Sequence, residues 1–312
     1  MSEIVCPSLR ASNPICLMAA VGLLRTCHRL LPALGKPRLS WRWEEPEWRA
    51  VLHTEGRATP DDLLDCLSGL RFPEPRDEFE WRDEVKGLTR EQFRRRATDI
   101  KGDTYLLEWL AALAAESLTR SKDKLVTPFD TTAGRWILLK RFRTIHALLF
   151  PGEPQQAETR AKFRAALFEE WTYGDEQISF NWDPALVNQG AYCPLDPADK
   201  ARSPNECVLA AVWLAIECLP MFPCDSTAGR LRTRGFFTGR GSWLSWPVWT
   251  EPVTLSTLKS LLAMPEVTSA EPPLACLRQR GIVVVYRSRR WNPTNYAAFS
   301  FGTPSALRSL GR

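Results

Sequence analysis

The sequence is poor in histidine and lacks the short motifs that mark common catalytic sites. Only His28, His53 and His146 occur among the 312 residues, and no H-E-x-x-H, G-x-S-x-G, Walker or G-x-G-x-x-G pattern is present. Those patterns place zinc ligands, a serine nucleophile or a nucleotide phosphate. We therefore expect no catalytic residue, no metal ligand and no cofactor. A metal-dependent nuclease built from converging carboxylates would leave no such pattern, so that class stays open.

The sequence also lacks paired cysteines and long apolar runs. Its nine cysteines include no C-x-x-C pair of the kind found in zinc and redox sites. An odd number in apolar surroundings favours buried free thiols in a reducing compartment. The longest apolar stretch, residues 207–224, contains Glu217 and Pro220 and is too short to cross a bilayer. We expect a cytoplasmic protein without membrane contact.

Arginine and tryptophan are abundant, and the positive charge is concentrated towards the C-terminal end. Residues 201–312 carry 13 basic and 6 acidic residues, a net charge of +7, whereas residues 1–200 carry a net charge of −2. The chain has 13 Trp. Arginine beside aromatic rings suits phosphates and bases, and it also suits protein interfaces. Composition leaves both possibilities open.

Apolar periodicity, capping residues and turn signals predict an α+β fold. Asn13, Thr59 and Asp103 each stand where a helix N-cap is expected. His146 falls in a helix rich in Lys and Arg, and we expect it on the basic face. The predicted helices cover residues 14–31, 63–70, 89–100, 105–118, 136–150, 157–172, 205–219, 254–264 and 273–280. The predicted strands cover residues 38–43, 48–53, 177–182, 230–237, 242–249, 282–287 and 295–301.

The order helix, hairpin, short helix occurs twice, over residues 13–70 and 204–264. Residues 16–27 align with residues 207–218 at six identical positions of twelve, although buried Ala/Leu helices also resemble one another by composition. We predict two pseudo-repeated helix–β-hairpin–helix units with a helical insertion. Small residues such as Ala19 and Ala210 would let the two helices approach closely. The predicted division is an N-terminal unit at 1–74, the insertion at 75–175 and a basic C-terminal unit at 176–312.

A second internal similarity joins residues 130–135, Asp-Thr-Thr-Ala-Gly-Arg, with residues 225–230, Asp-Ser-Thr-Ala-Gly-Arg. Hydroxyl groups, a flexible glycine and an arginine could grip a nucleic-acid backbone. The same residues could form an Asx or Ser/Thr turn that caps the next element. Both readings stay open.

Basic side chains recur beside aromatic ones in the second half of the chain. Alternation places Arg230, Arg232 and Arg234 on one face of a predicted strand, with Phe236 continuing the row. A sheet face of this kind binds single-stranded nucleic acid, and an Arg-lined protein interface or a solvated sheet face is an equally good interpretation. The run 94–96 is three arginines that fan around a helix, which is typical of a solvated face. The candidate nucleic-acid-binding residues are Arg135, Lys140, Arg141, Arg143, Arg230, Arg232, Arg234, Arg240, Trp243, Arg287, Arg289 and Arg290.

Two segments resemble a known group of proteins. Residues 13–25, Asn-Pro-Ile-Cys-Leu-Met-Ala-Ala-Val-Gly-Leu-Leu-Arg, and residues 127–135, Thr-Pro-Phe-Asp-Thr-Thr-Ala-Gly-Arg, resemble accessory and large-subunit-like proteins of type I-G (formerly I-U) CRISPR systems. The nearest of these is the family described as an extension of the helicase-nuclease. The resemblance covers about residues 10–70, 127–145 and 203–262. It implies a non-catalytic role in RNA-guided antiviral defence, in contact with guide RNA, target DNA or an effector subunit.

Together these observations lead to one main hypothesis and two alternatives. The main hypothesis is a non-catalytic CRISPR-associated subunit that binds RNA or DNA, single-stranded or as a heteroduplex, and helps to assemble the effector complex. The first alternative is a protein-interaction adaptor that recruits the helicase-nuclease. The second is a cryptic metal-dependent nuclease.

Overall fold

The fold is α+β, with helices packed against antiparallel sheets. The computed structural model describes residues 2–72, 90–116, 127–131, 138–152, 155–177, 179–188, 206–227, 230–239, 241–291 and 297–305. The helices are α1 (Pro14–Leu30), α2 (Pro60–Ser68), α3 (Arg90–Asp99), α4 (Thr104–Leu113), α5 (Leu138–Leu149), α6 (Gln156–Phe168), α7 (Pro184–Asn188), α8 (Leu209–Cys218), α9 (Leu255–Leu262), α10 (Pro265–Thr268) and α11 (Leu274–Gln279). The strands are β1 (Ser2–Arg10), β2 (Arg38–Glu44), β3 (Glu47–Thr54), β4 (Cys224–Thr227), β5 (Arg230–Thr233), β6 (Phe236–Gly239), β7 (Gly241–Trp249), β8 (Ile282–Trp291), β9 (Ala298–Phe299) and β10 (Thr303–Pro304).

Helices α1 and α8 cross at the centre of the core. The Asn13 side chain accepts a hydrogen bond from the Ile15 N–H, and Pro14 occupies the first helical turn, as predicted. The first fourteen residues of α1 and all of α8 are buried. A Cβ atom built on Gly22 would lie only 1.8 Å from the Leu214 carbonyl oxygen. Close approach is therefore made possible by Gly22, one turn beyond the predicted alanines.

The N-terminal sheet has the strand order β1-β3-β2, and both pairings are antiparallel. The hairpin of β2 and β3 is confirmed, with Trp43 directly opposite Trp48. Strand β1 was not predicted, because Pro7 and a shift of register between Cys6 and Arg10 interrupt its alternation. One face of this sheet packs on α1. On the other face, Val51 and His53 of β3 are buried, whereas Arg10 of β1 and Arg42 of β2 are exposed.

The C-terminal strands differ from the prediction. The single strand expected over residues 230–237 is wrong: β5 pairs with β4, and β6 pairs with β7 in a separate sheet. Gly235, at φ 77°, turns the chain between them, and a Cβ there would lie 3.1 Å from the Phe222 ring. The main sheet has the order β10-β8-β7-β6, and β9 also pairs with β8.

The strand predicted over residues 177–182 is also wrong. Phe180 and Asn181 have left-handed backbone conformations, with φ of 54° and 55°, so the chain turns there. Trp182 follows the turn and buries its ring, and its Nε1 donates to the Phe129 carbonyl at 2.9 Å. The apolar residues that indicated a strand therefore serve a buried turn.

The two sheets meet beside α1 and α8. Leu39 of β2 and Val253 exchange two backbone hydrogen bonds of 2.9 Å. The Trp249 Nε1 donates to the Leu39 carbonyl at 2.7 Å, and its ring meets Trp41 edge-on. In chain order, α1 precedes one hairpin and α2, whereas α8 precedes two hairpins and α9. The pseudo-repeat and the three-part division remain predictions.

Candidate nucleic-acid interface

A cluster of aromatic and basic side chains lies on the outward face of the C-terminal sheet. Phe237 of β6 is directly opposite Trp243 of β7, which is directly opposite Arg289 of β8. Trp291 lies two residues further along β8 on the same face. We call these four residues the aromatic-basic patch. Helix α10 covers the rest of this face, where the Ser245 hydroxyl donates to the Val267 carbonyl at 2.6 Å.

The stacked rings of Phe237 and Trp243 are supported by the guanidinium group of Arg287. The rings of Phe237 and Trp243 stack with centroids 6.3 Å apart and planes 11° apart. The Arg287 guanidinium carbon lies 4.9 Å from the Phe237 centroid. Arg287 donates to the carbonyls of Ala270, at 2.7 Å, and Ser269. Burial lowers the pKa of the Arg287 guanidinium. Arg287 thus supports the stack from within the protein.

The solvent side of the patch is open. Arg289 is exposed, and Trp291 exposes 39% of its surface. A Cβ atom built on Gly241 would lie 3.6 Å from the Trp243 Nε1 and 3.8 Å from the Arg289 Nε. The Trp243 and Arg289 side chains therefore both lie beside Gly241 at the start of β7. This combination of a ring face, a cation and open space suits a base and its phosphate.

Two predicted binding residues are engaged inside the protein instead. Arg234 lies beyond the end of β5, and its Nη1 donates to the Met221 carbonyl at 3.2 Å. Arg290 is on the opposite face of β8 from Arg289, and its guanidinium donates to the carbonyls of Pro128, at 2.8 Å, and Asp130, at 3.2 Å. Burial lowers the pKa of both guanidinium groups. The prediction that Arg234 shares a strand face with Arg230 and Arg232 is therefore wrong. The inward-facing ring of Phe236 packs on Phe129 and Phe299.

The other predicted residues lie apart from the patch or outside the described residues. Arg232 is exposed on β5, directly opposite Asp225. On α5, Lys140 is exposed, whereas Arg141 and Arg143 are half-buried. Arg135 and Arg240 lie outside the described residues, as does the side chain of Arg230.

The two similar Asp-to-Arg segments have different surroundings. Residues 225–227 belong to β4 and residue 230 starts β5, so the second copy is itself a β-hairpin. In the first copy, the Thr131 hydroxyl donates to the Phe180 carbonyl, and residues 132–135 lie outside the described residues. A backbone-gripping role for either segment remains a prediction.

The predicted basic-face position of His146 is wrong. The His146 side chain is buried, and its Nδ1 accepts a hydrogen bond of 3.1 Å from the Trp213 Nε1. Phe142 lies one turn earlier on the same buried face of α5, and this apolar spacing was the signal that could have placed His146. With Phe72 and Phe150, His146 lines a pocket of about 190 Å³.

Within the described ranges, no group of three His, Cys, Asp or Glu side chains is arranged to hold a metal ion. The eight cysteines described are free thiols. Burial raises the pKa of Cys6 to about 12 and that of Cys224 to about 11, so these thiols are unreactive at neutral pH. None of the helices in the described part of the chain has both the length and the apolar character needed to traverse a bilayer.

We compared the chain with known protein families, curated proteins and solved structures. No family model, curated protein or solved structure matches this chain. The functional argument consequently starts from the aromatic-basic patch.

Proposed function

We propose that this protein is a non-catalytic, cytoplasmic CRISPR-associated subunit that binds nucleic acid and helps to assemble an RNA-guided effector complex. The observation that carries the binding function is the stack of Phe237 on Trp243, with Arg287 fixed at one side and Arg289 exposed at the other. The link to CRISPR systems is supported by the resemblance of residues 13–25 and 127–135 to the type I-G accessory proteins.

The shape of the patch favours unpaired bases. An open sheet surface exposes ring faces on which a base can stack, and such stacking contributes about 1–3 kcal/mol per base. Bases inside a duplex already stack on each other and offer no free face. The ligand is accordingly single-stranded guide RNA or displaced target DNA, or the end of a heteroduplex where bases are accessible.

The proposed architecture completes this function. We treat residues 13–70 and 204–264 as pseudo-repeated units that pair through α1 and α8, with the helical insertion between them in the chain. In this arrangement the patch lies in the C-terminal unit. The same part of the chain holds the excess of positive charge. Surfaces outside the patch remain available for effector subunits.

The test is a fluorescence anisotropy titration with single-stranded RNA, single-stranded DNA and a heteroduplex at several salt concentrations. Trp243→Ala removes a stacking ring, and we expect it to weaken single-strand binding roughly 5- to 150-fold. Arg95→Gln is the control at a site away from the patch. Arg95 lies on α3, is 85% exposed, and forms an exposed ion pair of 3.9 Å with Asp99. That control should bind like the parent protein.

Each contrary result identifies one of the alternatives. If the parent does not bind any nucleic acid but retains the helicase-nuclease in a pull-down that Trp243→Ala abolishes, the patch is a protein interface and the chain is an adaptor. Exposed Trp and Arg are also the usual anchors of protein interfaces. Metal-stimulated cleavage of the probes would instead favour the nuclease.

A further inference from the structure

Three arginines lie side by side at one end of a face of the N-terminal sheet, next to the buried Val51 of β3. The register places Arg10 of β1 directly opposite Arg49 of β3, and Arg49 directly opposite Arg42 of β2. We call these three residues the arginine row. Neighbouring strands are about 4.8 Å apart, so the three side chains leave the sheet within about 10 Å of one another. Arg10 and Arg42 are exposed, and Arg49 is half-buried.

In the described part of the chain, Arg42 is the member of the row with an acidic partner. Like charges directly opposite each other destabilise a sheet, and the row contains two such pairs. Glu3 pairs with Arg42. The Glu47 carboxylate is engaged by the Ser12 hydroxyl and by the Trp48 N–H at 2.8 Å. Among the residues that the structure describes, no carboxylate lies within 4 Å of a guanidinium nitrogen of Arg10 or Arg49.

Arg49 is also held in a defined position. Its Nη1 donates to the Pro7 carbonyl at 2.7 Å, across the irregular part of β1. A planar guanidinium fork matches the oxygens of a phosphate group, and several such forks at one place form an anion site.

The arginine row is connected to the aromatic-basic patch by a short hydrogen-bonded path. Residues Ala11 and Ser12, which follow Arg10, accept hydrogen bonds from the Trp246 Nε1 at 3.0 Å and the Gly302 N–H at 2.7 Å. Two residues before Gly302, the Ser300 N–H donates to the Arg289 carbonyl at 3.0 Å. The segment 300–302 thus links β8, which carries part of the patch, to the end of β1.

We infer that the arginine row is a second anion site, which binds the phosphodiester backbone of the nucleic acid whose bases stack on the patch. This inference rests on the proposed function. The chemistry favours a phosphate chain because arginine guanidinium groups bind backbone phosphates without reading the bases. A strand long enough to reach both sites would bind more tightly than one that covers only the patch.

The experiment compares Arg10→Gln/Arg49→Gln with the parent on short and long homopolymeric RNA and DNA at several salt concentrations. Arg42 is left intact because it pairs with Glu3. Each phosphate contact contributes about 0.7 to the slope of log K against log salt for single strands. We expect the double variant to lose about 1.4 of that slope on the long strands and to bind the short strands like the parent.

A matched double variant removes the same charge elsewhere. Arg95→Gln/Lys101→Gln changes two exposed residues, one in the middle of α3 and one just beyond its end, and it should keep the slope of the parent. A second measurement uses inorganic pyrophosphate as the probe: it should raise the Tm of the parent and of Trp243→Ala, but not that of Arg10→Gln/Arg49→Gln.

The outcomes separate this inference from the proposed function. If the parent binds long strands and the Arg10→Gln/Arg49→Gln variant keeps the same affinity and slope, the inference is overturned while the proposed function stands. If Trp243→Ala binds like the parent but the arginine variant does not, the patch assignment fails and the row is the binding site. If pyrophosphate raises the Tm of the parent but no nucleic acid binds, both proposals are wrong.

Discussion

Arg25 of α1 and Glu217 of α8 form an ion pair of 3.1 Å inside the helix crossing, where their side chains are 2% and 3% exposed. Arg25 also donates to the Glu217 backbone carbonyl at 3.2 Å, and its guanidinium carbon lies 5.7 Å from the Trp109 ring centroid. Arg25 also lies 3.7 Å from the Glu108 carboxylate. Removing one partner of the Arg25–Glu217 pair is costly, because the other charge stays buried after losing that partner. The pair therefore selects one alignment of α1 on α8.

Replacing one member of this pair should be strongly destabilising. Arg25→Met leaves the Glu217 carboxylate buried, and we expect the free energy of unfolding to fall by about 3–5 kcal/mol. Arg25→Met/Glu217→Leu should lose much less than the sum of the two single changes. Urea unfolding of all four proteins gives this double-mutant cycle. Additive losses would contradict the prediction, and Arg160→Met, which breaks exposed pairs with Asp61 and Asp65, is the control with a small effect.

Gly22 should tolerate no side chain. An alanine Cβ would lie 1.8 Å from the Leu214 carbonyl oxygen and 3.2 Å from the Cys218 nitrogen, both backbone atoms that cannot move away alone. We expect Gly22→Ala to cost more than about 3 kcal/mol, beyond ordinary overpacking. Gly174→Ala is the control, because no atom lies within 4 Å of the added carbon. Equal Tm values for these two variants would show that the helices can separate without cost.

Stability should decrease in mild acid because of His53. Its Nε2 lies 2.7 Å from the Ser40 hydroxyl, and burial lowers the pKa of His53, with Arg42 and Arg38 acting in the same direction and Glu3 in the opposite one. A lowered pKa means that the unfolded chain binds the proton more readily. The stabilisation is therefore complete above about pH 6.5 and is lost as the pH falls through the folded-state pKa.

The measurement for His53 is the free energy of unfolding from pH 8 to pH 5. His53→Gln should show a weaker decrease over this range than the parent. His28→Gln, at an exposed position near the end of α1, should follow the parent. A parallel decrease in all three proteins would assign the pH dependence to other groups.

Arg289 and Arg290 are sequence neighbours with different expected roles. Arg289→Gln should lower the salt slope of single-strand binding by about 0.7 and leave the Tm unchanged, since its side chain is exposed. Arg290→Gln removes charge-assisted hydrogen bonds to Pro128 and Asp130, and we expect it to cost about 1.5 kcal/mol or more of stability. Anisotropy and thermal unfolding on both variants check this; the reverse pattern would mean that the two faces of β8 have been exchanged.

Capping and turn residues correctly predicted the helix starts and the hairpin that depend on neighbouring residues in the sequence. Asn13 before Pro14 set the start of α1, and Thr59 as the N-cap set the start of α2. The Trp43–Trp48 hairpin followed from two alternating runs around a turn. In each case the residues that decide the structure lie within a few positions of one another.

The aromatic-basic patch could be predicted only in part, because the faces of a strand depend on where the strand begins. A turn at Gly235 ends β5 and starts β6, so Phe237 rather than Phe236 faces Trp243. A shift of one residue exchanges the two faces of a strand. In the same way, the hairpin alone could place Arg42 opposite Arg49, but Arg10 required the irregular pairing of β1 with β3.

The central position of α1 also has a consequence for the time at which this protein can fold. Its apolar surface is covered by α8, which lies roughly 180 residues later in the chain. At about 5–20 residues per second, a ribosome needs on the order of 10 to 35 s to deliver that partner. Throughout this interval α1 is outside the exit tunnel and its apolar surface is uncovered. An exposed apolar helix of this kind is bound by chaperones or aggregates. Productive synthesis of this chain thus depends on how the nascent helix is sheltered until α8 emerges.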